Sequence, residues 1–289
     1  MSDLTNTVPV DILGDLQRHV AHRPEATWLV FEEERISYRA LAARVDRLAG
    51  ALLGTGLERG DRVAILALAS PLFFELLFAC AKGGLIMVPI NHRLSAREVA
   101  DVLDDAAPAL VITSGELRHL MPADGDWPLL LEPELDSWLE DTPTEDLLVP
   151  GAPDEPVLIL YTSGTTGRPK GVTLTQRNLS FLSRMARELW GFDAGSTNLV
   201  STPLFHIGGI GWGLLAFTQG GATVLTRESA ADALVALMQR HRITHAFMVP
   251  TMIQRLVDHI DAAGVVAPRI AHMAYGAAPI GDELLRRAL

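Results

Sequence analysis

The 289-residue chain is 48% hydrophobic and 20% charged, a balance that excludes disorder and supplies a sizeable core for one large domain or two ordinary ones. Its 24 basic against 35 acidic residues give a net charge of −11 with the basic residues scattered, which excludes an electrostatic footprint for nucleic acid. One cysteine, Cys80, lies inside an apolar run, so an internal disulfide is excluded and a core thiol is expected. The N-terminus shows no basic-then-apolar signal pattern. Residues 72–90 are interrupted by Glu75, Lys82 and Gly83-Gly84, and 203–217 is too short and carries His206, so neither reaches the roughly 18 apolar residues of a membrane span. The cytoplasm is the expected setting; peripheral contact with lipid and oligomerisation stay open.

In chain order, Val10, Leu13, Leu16 and Val20 recur at helical spacing, with Asp11 placed to cap, predicting an amphipathic helix. Strands over 27–31 and 36–38 form a hairpin around Glu32-Glu33-Glu34, and Leu41, Val45, Leu48 and Leu52 define a long helix that Gly54 and Gly56 stop. Strand and helix then alternate: strand 62–68, a helix opened by Ser70-Pro71, strand 86–90, a capping box at Ser95 and Glu98 with its helix to 106, strand 110–113. Residues 122–156 are rich in Pro and acids with little periodicity, strand-like only at 129–131, and read as a surface excursion. Beyond them come helix 178–190, strand 198–202, a buried helix 207–217, strand 222–226, helix 229–241, strand 244–249, helix 251–262, strand 270–274 and a helix from Asp282. The alternation predicts an α/β fold with largely parallel, helix-covered sheets. Two approximate subdomains are expected, 1–60 with 203–289, and 61–202.

One stretch stands out, Tyr161-Thr162-Ser163-Gly164-Thr165-Thr166-Gly167-Arg168-Pro169-Lys170-Gly171, set between two strand-like runs. Its glycines let successive N–H groups point into one concavity, its four hydroxyls add donors, and Lys170 adds a compact positive charge. That is the chemistry of a phosphate-binding loop. It is not a Walker A loop, because Lys170 is followed by Gly171 and a β-type run rather than by Ser or Thr and a helix.

The stretch resembles the signature loop of the adenylate-forming (AMP-binding) superfamily of acyl- and aryl-CoA synthetases, peptide-synthetase adenylation domains and luciferases. Val88-Pro89-Ile90-Asn91 and Val249-Pro250-Thr251-Met252 look like secondary landmarks of the same superfamily. The resemblance implies the large N-terminal domain of such an enzyme, in two subdomains, and ATP, Mg and CoA as the small molecules used. Thr162, Ser163, Gly164, Thr165, Thr166, Gly167 and Lys170 would hold the β- and γ-phosphates, with Thr165 or Thr166 near Mg. Pro203-Leu204-Phe205-His206-Ile207-Gly208-Gly209 resembles the segment whose aromatic residue and histidine wall the acyl pocket, its glycines making room for the acyl chain. His206 is assigned to that wall and not as a general base, since a carboxylic acid is already ionised at pH 7. Gly276, Ala277, Ala278 and Pro279 resemble the segment that packs on adenine, with Tyr275 standing where small residues are common.

Adenylation domains for amino acids usually carry a Phe-Asp pair where Phe205-His206 stands here, and no carboxylate lies between 198 and 219. A fatty or other apolar acid is the expected substrate; an aryl-CoA ligase, a fatty-acyl-AMP ligase serving a carrier protein, and a non-catalytic nucleotide- or acyl-binding homologue are the alternatives. His92, His119 and His245 show no metal-ligand spacing. The Tyr-Gly-x-Thr-Glu motif, the ribose-binding aspartate, the hinge and the C-terminal lid domain with its lysine are not found in the 289 residues. The chain is therefore expected to be an incomplete, inactive N-terminal portion of an acid–thiol ligase.

Overall fold

The computed structural model describes residues 11–123, 125, 127–140, 152–162 and 169–289. The chain divides into two compact units, Met1–Ala26 with Ser37–Leu182, and Thr27–Ile36 with Ser183–Leu289.

The first unit opens with α1 (Ile12–His22), where Asp11 Oδ1 accepts the Gly14 N–H at 2.7 Å as its cap. Strands β1 (Thr27–Phe31) and β2 (Glu34–Ser37) then leave for the second unit, and α2 (Tyr38–Gly54) returns. Its sheet runs β6-β5-β3-β4-β7-β8, built from β3 (Arg62–Leu66), β4 (Ile86–Pro89), β5 (Leu110–Thr113), β6 (Leu129–Leu131), β7 (Pro156–Thr162) and β8 (Lys170–Thr175). All described pairings are parallel except β7 with β8. The central strands are apolar throughout because both faces are covered. Ala64, Leu66, Val88 and Val111 pack on Val99, Val102 and Leu103 of α4 (Ala96–Ala106).

On the other side α3 (Leu72–Gly83) packs on β4 and β7 and against α2, and all of its residues are buried. Two of them are charged, and each meets a partner on α2: Glu75 lies 3.1 Å from Arg44, and Lys82 lies 2.7 Å from Asp46. Buried charge needs such pairing. Gly84, at φ 68°, caps α3 in the left-handed region.

The second unit is a six-stranded sheet ordered β12-β11-β9-β10-β1-β2. Its strands alternate with helices: β9 (Thr197–Val200), α7 (Ile207–Thr218), β10 (Ala222–Leu225), α8 (Ala231–Arg240), β11 (His245–Met248), α9 (Pro250–Ala263), β12 (His272–Tyr275) and α10 (Asp282–Ala288). Leu199, Val224, Ala246 and Met248 face α8 and α9. The opposite face meets α7, where Asn198 Nδ2 donates to the Trp212 carbonyl at 2.9 Å and Thr223 Oγ1 to that of Gly213 at 3.2 Å.

Two expectations are corrected. Of the described residues among the first 60, only the β1–β2 hairpin joins the second half, because β1 pairs with β10 in parallel, whereas α1 and α2 pack with α3. The second unit also begins at Ser183, not 203, since β9 is central in its sheet. Within the stretch read as an excursion, α5 (Leu135–Glu140) forms, burying Leu135 and Leu139 and setting Asp136 2.6 Å from Arg44. One helical turn and a half gives too few positions for a period to show. α6 (Gln176–Glu188) begins two residues before the predicted helix.

Candidate functional site

The glycine-rich stretch is a β-hairpin connection. β7 and β8 pair antiparallel up to Tyr161 opposite Gly171 and Thr162 opposite Lys170. Residues 163–168 lie outside the described residues, and with them the expectations for Ser163, Gly164, Thr165, Thr166 and Gly167. The base of the hairpin is firmly built. The Tyr161 hydroxyl donates to Asp105 Oδ2 on α4 at 2.6 Å, and burial, then the Asp105 carboxylate, push the phenol above its usual range. A Cβ on Gly171 would fall 2.8 Å from Ile159 Cγ2 and 3.2 Å from Tyr161 Cζ, so the aromatic ring occupies the space a side chain would need.

Strand alternation puts Thr162 and Lys170 on the face opposite Tyr161. Thr162 Oγ1 donates to the Lys170 carbonyl at 3.4 Å. The Lys170 ammonium is exposed and, among the described residues, has no carboxylate partner. A cation held on a strand at the mouth of a glycine-rich connection suits phosphate oxygens.

In the second unit the chain leaves the carboxyl ends of the adjacent strands β9 and β11 toward opposite faces, α7 on one and α9 on the other. Such a switch point opens a crevice in a doubly wound sheet. Residues 201–206 follow β9, and Gly276 to Pro279 follow β12, next to β11. Phe205 is 3% exposed, whereas His206, the extended N-cap of α7, is exposed beside it with ring centroids 4.5 Å apart. Of the pair, the imidazole is the one presented to solvent.

The two glycines of this motif are closely packed by neighbours. A Cβ on Gly209 would land on the Pro203 carbonyl oxygen and lie 2.6 Å from its carbon, so the first turn of α7 rests on backbone. A Cβ on Gly208 would lie 2.8 Å from Cε1 of Phe247. Ile210, Trp212, Leu214, Leu215 and Phe217 are core residues; only Ile207, 53% exposed, projects from the apolar run.

Gly276 meets the same Phe247 ring, its Cβ position lying 3.1 Å from Cε2 and 3.2 Å from Cζ. Ala277 follows with φ 66°, a left-handed conformation uncommon for a residue with a side chain. Ala277, Ala278 and Pro279 are exposed, and Tyr275 stands 46% exposed before them. Sequence reasoning missed Phe247. Its signal was strand alternation: Ala246 and Met248 face α8 and α9, which turns Phe247 toward α7.

His245 is structural. Its Nε2 donates to the Trp190 carbonyl at 2.9 Å, Nδ1 lies 2.8 Å from Thr244 Oγ1, and the ring stacks between Phe192 and His272. Burial holds its pKa below the usual range, with the Trp190 hydrogen bond opposing. Among the described residues no group of three His, Cys, Asp or Glu could hold a metal ion. A cavity of about 370 Å³ lies between the β1–β2 turn and α8, lined by Phe31, Glu33, Arg227 and Arg240 among others. It includes none of the segments read as phosphate-, acid- or adenine-binding, and chemistry favours those segments over it.

Comparison with known proteins bears on the fold and the family. The chain is 34% identical over 281 residues to ScoC, a fatty acid–[acyl-carrier-protein] ligase of Streptomyces coeruleorubidus, covering 94% of this chain and 54% of that protein. It is 33% identical over 277 residues to a feruloyl-CoA synthase of an Amycolatopsis species, covering 94% and 55%. The chain thus spans about half the length of these relatives. Among solved structures, the inhibitor-bound N-terminal domain of FACL13 from Mycobacterium tuberculosis superposes with a TM-score of 0.86 at 26% identity, over 96% of this chain and 72% of that one. The pattern described as AMP-binding enzyme matches residues 16–289, and the chain belongs to that family.

Proposed function

We propose that this chain forms the nucleotide- and acid-binding part of an acid–thiol ligase that activates a carboxylic acid with an apolar tail. A carboxylate oxygen attacks the α-phosphorus of ATP, the bond to the bridging oxygen breaks, and pyrophosphate leaves with an acyl-adenylate remaining. A thiol then attacks the acyl carbon and AMP leaves. The observation that carries the reading is the β7–β8 hairpin, with Lys170 unpaired among the described residues on its last strand rung and the hydroxyl-rich connection beyond it. Lys170 and the loop donors would neutralise charge on the leaving pyrophosphate, the main electrostatic demand of the first step. Mg enters as the companion of ATP, with no set of described residues assigned to it. His206 would wall the acid side, and the turn from Gly276 to Pro279 the adenine side.

ATP–pyrophosphate exchange with a panel of aliphatic and aryl carboxylates tests the reading. The 289 residues contain no Tyr-Gly-x-Thr-Glu run, and loss of one preorganised donor typically costs about a hundred- to a thousand-fold in rate, so slow exchange is expected of this polypeptide alone. The decisive measurement is therefore calorimetric binding of 5′-O-(N-acylsulfamoyl)adenosines, stable mimics of the adenylate. Absence of binding across the panel refutes the proposal.

A second reading has support of its own. One of the relatives is a ligase for an acyl-carrier protein, which makes a carrier-bound thiol the alternative acceptor to CoA. Product analysis with CoA and with a phosphopantetheinylated carrier separates the two.

A further inference from the structure

Phe247 is a side chain common to the two segments read as the acid side and the nucleotide side. Gly208 in the first turn of α7 faces the ring at Cε1 and Cζ, and Gly276 after β12 faces it at Cε2 and Cζ, so the two glycines flank the tip of one ring. Both neighbours lack a Cβ, and each would crowd the ring if it had one. The ring has little room to retreat: Trp212 lies 5.8 Å away and is itself backed by Trp190 at 5.4 Å and Phe192 at 5.6 Å. Close-packed interiors transmit displacement instead of absorbing it. The turn that rests on this ring continues into Ala277, held at positive φ, and into exposed residues.

Resting on the adenylation reading, we propose that Phe247 is a positioning residue that couples the acid side of the site to the nucleotide side. A group entering beside α7 that shifts the ring shifts the support of the Gly276 turn, so acid and nucleotide affinities depend on each other. By linkage the effect is reciprocal. The residue acts through the turn it supports, the one read as the adenine side.

A double-mutant cycle on the full chain tests this, read by calorimetry with 5′-O-sulfamoyladenosine, which has no acyl tail. Gly208→Ala adds a methyl on α7 that pushes the ring edge. It is expected to weaken sulfamoyladenosine about 5- to 10-fold, and to change it less than about 2-fold in a Phe247→Leu background. A merely structural role would give the same effect in both backgrounds, and equal or absent effects overturn the coupling. Should Gly208→Ala fail to fold, Phe247→Leu alone decides. It is expected both to weaken sulfamoyladenosine about 3- to 10-fold and to shift the preference between its decanoyl and benzoyl derivatives at least about 3-fold. A change in only one of the two overturns the proposal. Wild-type chain that binds none of these probes refutes the adenylation reading itself, whereas wild-type binding with additive variants refutes the coupling alone.

Discussion

Gly209→Ala isolates the reason a glycine stands at the start of α7. In an open helix the change would help, since Ala exceeds Gly in helix propensity by about 0.8–1 kcal/mol. At Gly209 the new methyl would instead fall on the Pro203 carbonyl oxygen, 2.6 Å from the Pro203 carbon and 2.8 Å from the Thr202 oxygen. All three are backbone atoms, so no rotamer relieves them; α7 or the 201–206 segment must move. Moving either strains the Thr202 Oγ1 hydrogen bond to the Gly208 carbonyl, 2.8 Å long. Overpacking costs about 1–3 kcal/mol even where side chains yield, so the upper part of that range is expected after the propensity gain is subtracted. At about 2–4 °C per kcal/mol for a chain of this size, the melting temperature should fall by about 4–12 °C. Gly54→Ala is the control: its Cβ meets nothing within 4 Å, and stability should hold or rise by up to about 1 kcal/mol. Urea and thermal unfolding followed by circular dichroism read both. Gly209→Ala that melts with the wild type while changing the tail length preferred among acylsulfamoyladenosines would restore the reading in which this glycine makes room for substrate.

Lys170→Ala should lower affinity for ATP by about 10- to 100-fold, the worth of a charge-assisted hydrogen bond, without moving the melting temperature, because the side chain is exposed; equal affinity would remove Lys170 from the phosphate site. Asp15, buried on α1 with Arg18 2.7 Å away, has its pKa raised to about 6, by burial first. The folded state therefore holds its proton more tightly than the unfolded state, and this stabilisation, complete below about pH 4, is lost as pH rises through 6. The stability of Asp15→Asn relative to wild type should thus climb by about 1–3 kcal/mol between pH 4 and 7, and parallel pH profiles in urea would contradict the assignment. Tyr38 and Tyr161, both held above the phenol range by burial, should stay protonated near pH 10 while the chain is folded; early ultraviolet absorbance of both phenolates in a native alkaline titration would count against this geometry. Cys80, fully buried with its thiol pKa raised, should react with a thiol reagent only on unfolding, and prompt native labelling would show that α3 opens.

The strands and helices with a clear period were legible: the capping box at Ser95 and Glu98 forms, Asp11 caps α1, and the strand–connection–strand at the glycine-rich stretch is there. Harder to read was which strands share a sheet. β1 joins β10 across almost two hundred residues, a pairing set by packing and not by any local pattern. The same limit applies to the candidate site. The family resemblance implied that Gly208 and Gly209 make room for an acyl chain, yet which neighbours a missing side chain admits is decided in three dimensions, here by Phe247 and Pro203. Tyr161 looked like the start of a motif, and its bond to Asp105 joins positions 56 residues apart.

The burial of all twelve residues of α3 has a consequence for synthesis. The helix finishes at Gly83, but β7, one of the strands it packs on, begins only at Pro156. The 72 intervening residues take about 4–15 s to translate at roughly 5–20 residues per second. During that interval an apolar segment waits without its full cover, a target for holdase chaperones and a site for misassembly. The pairs from Arg44 to Glu75 and from Asp46 to Lys82 join α3 to α2, which is already made by then, so the packing of those two helices offers the nascent chain a partial shelter until the sheet is complete.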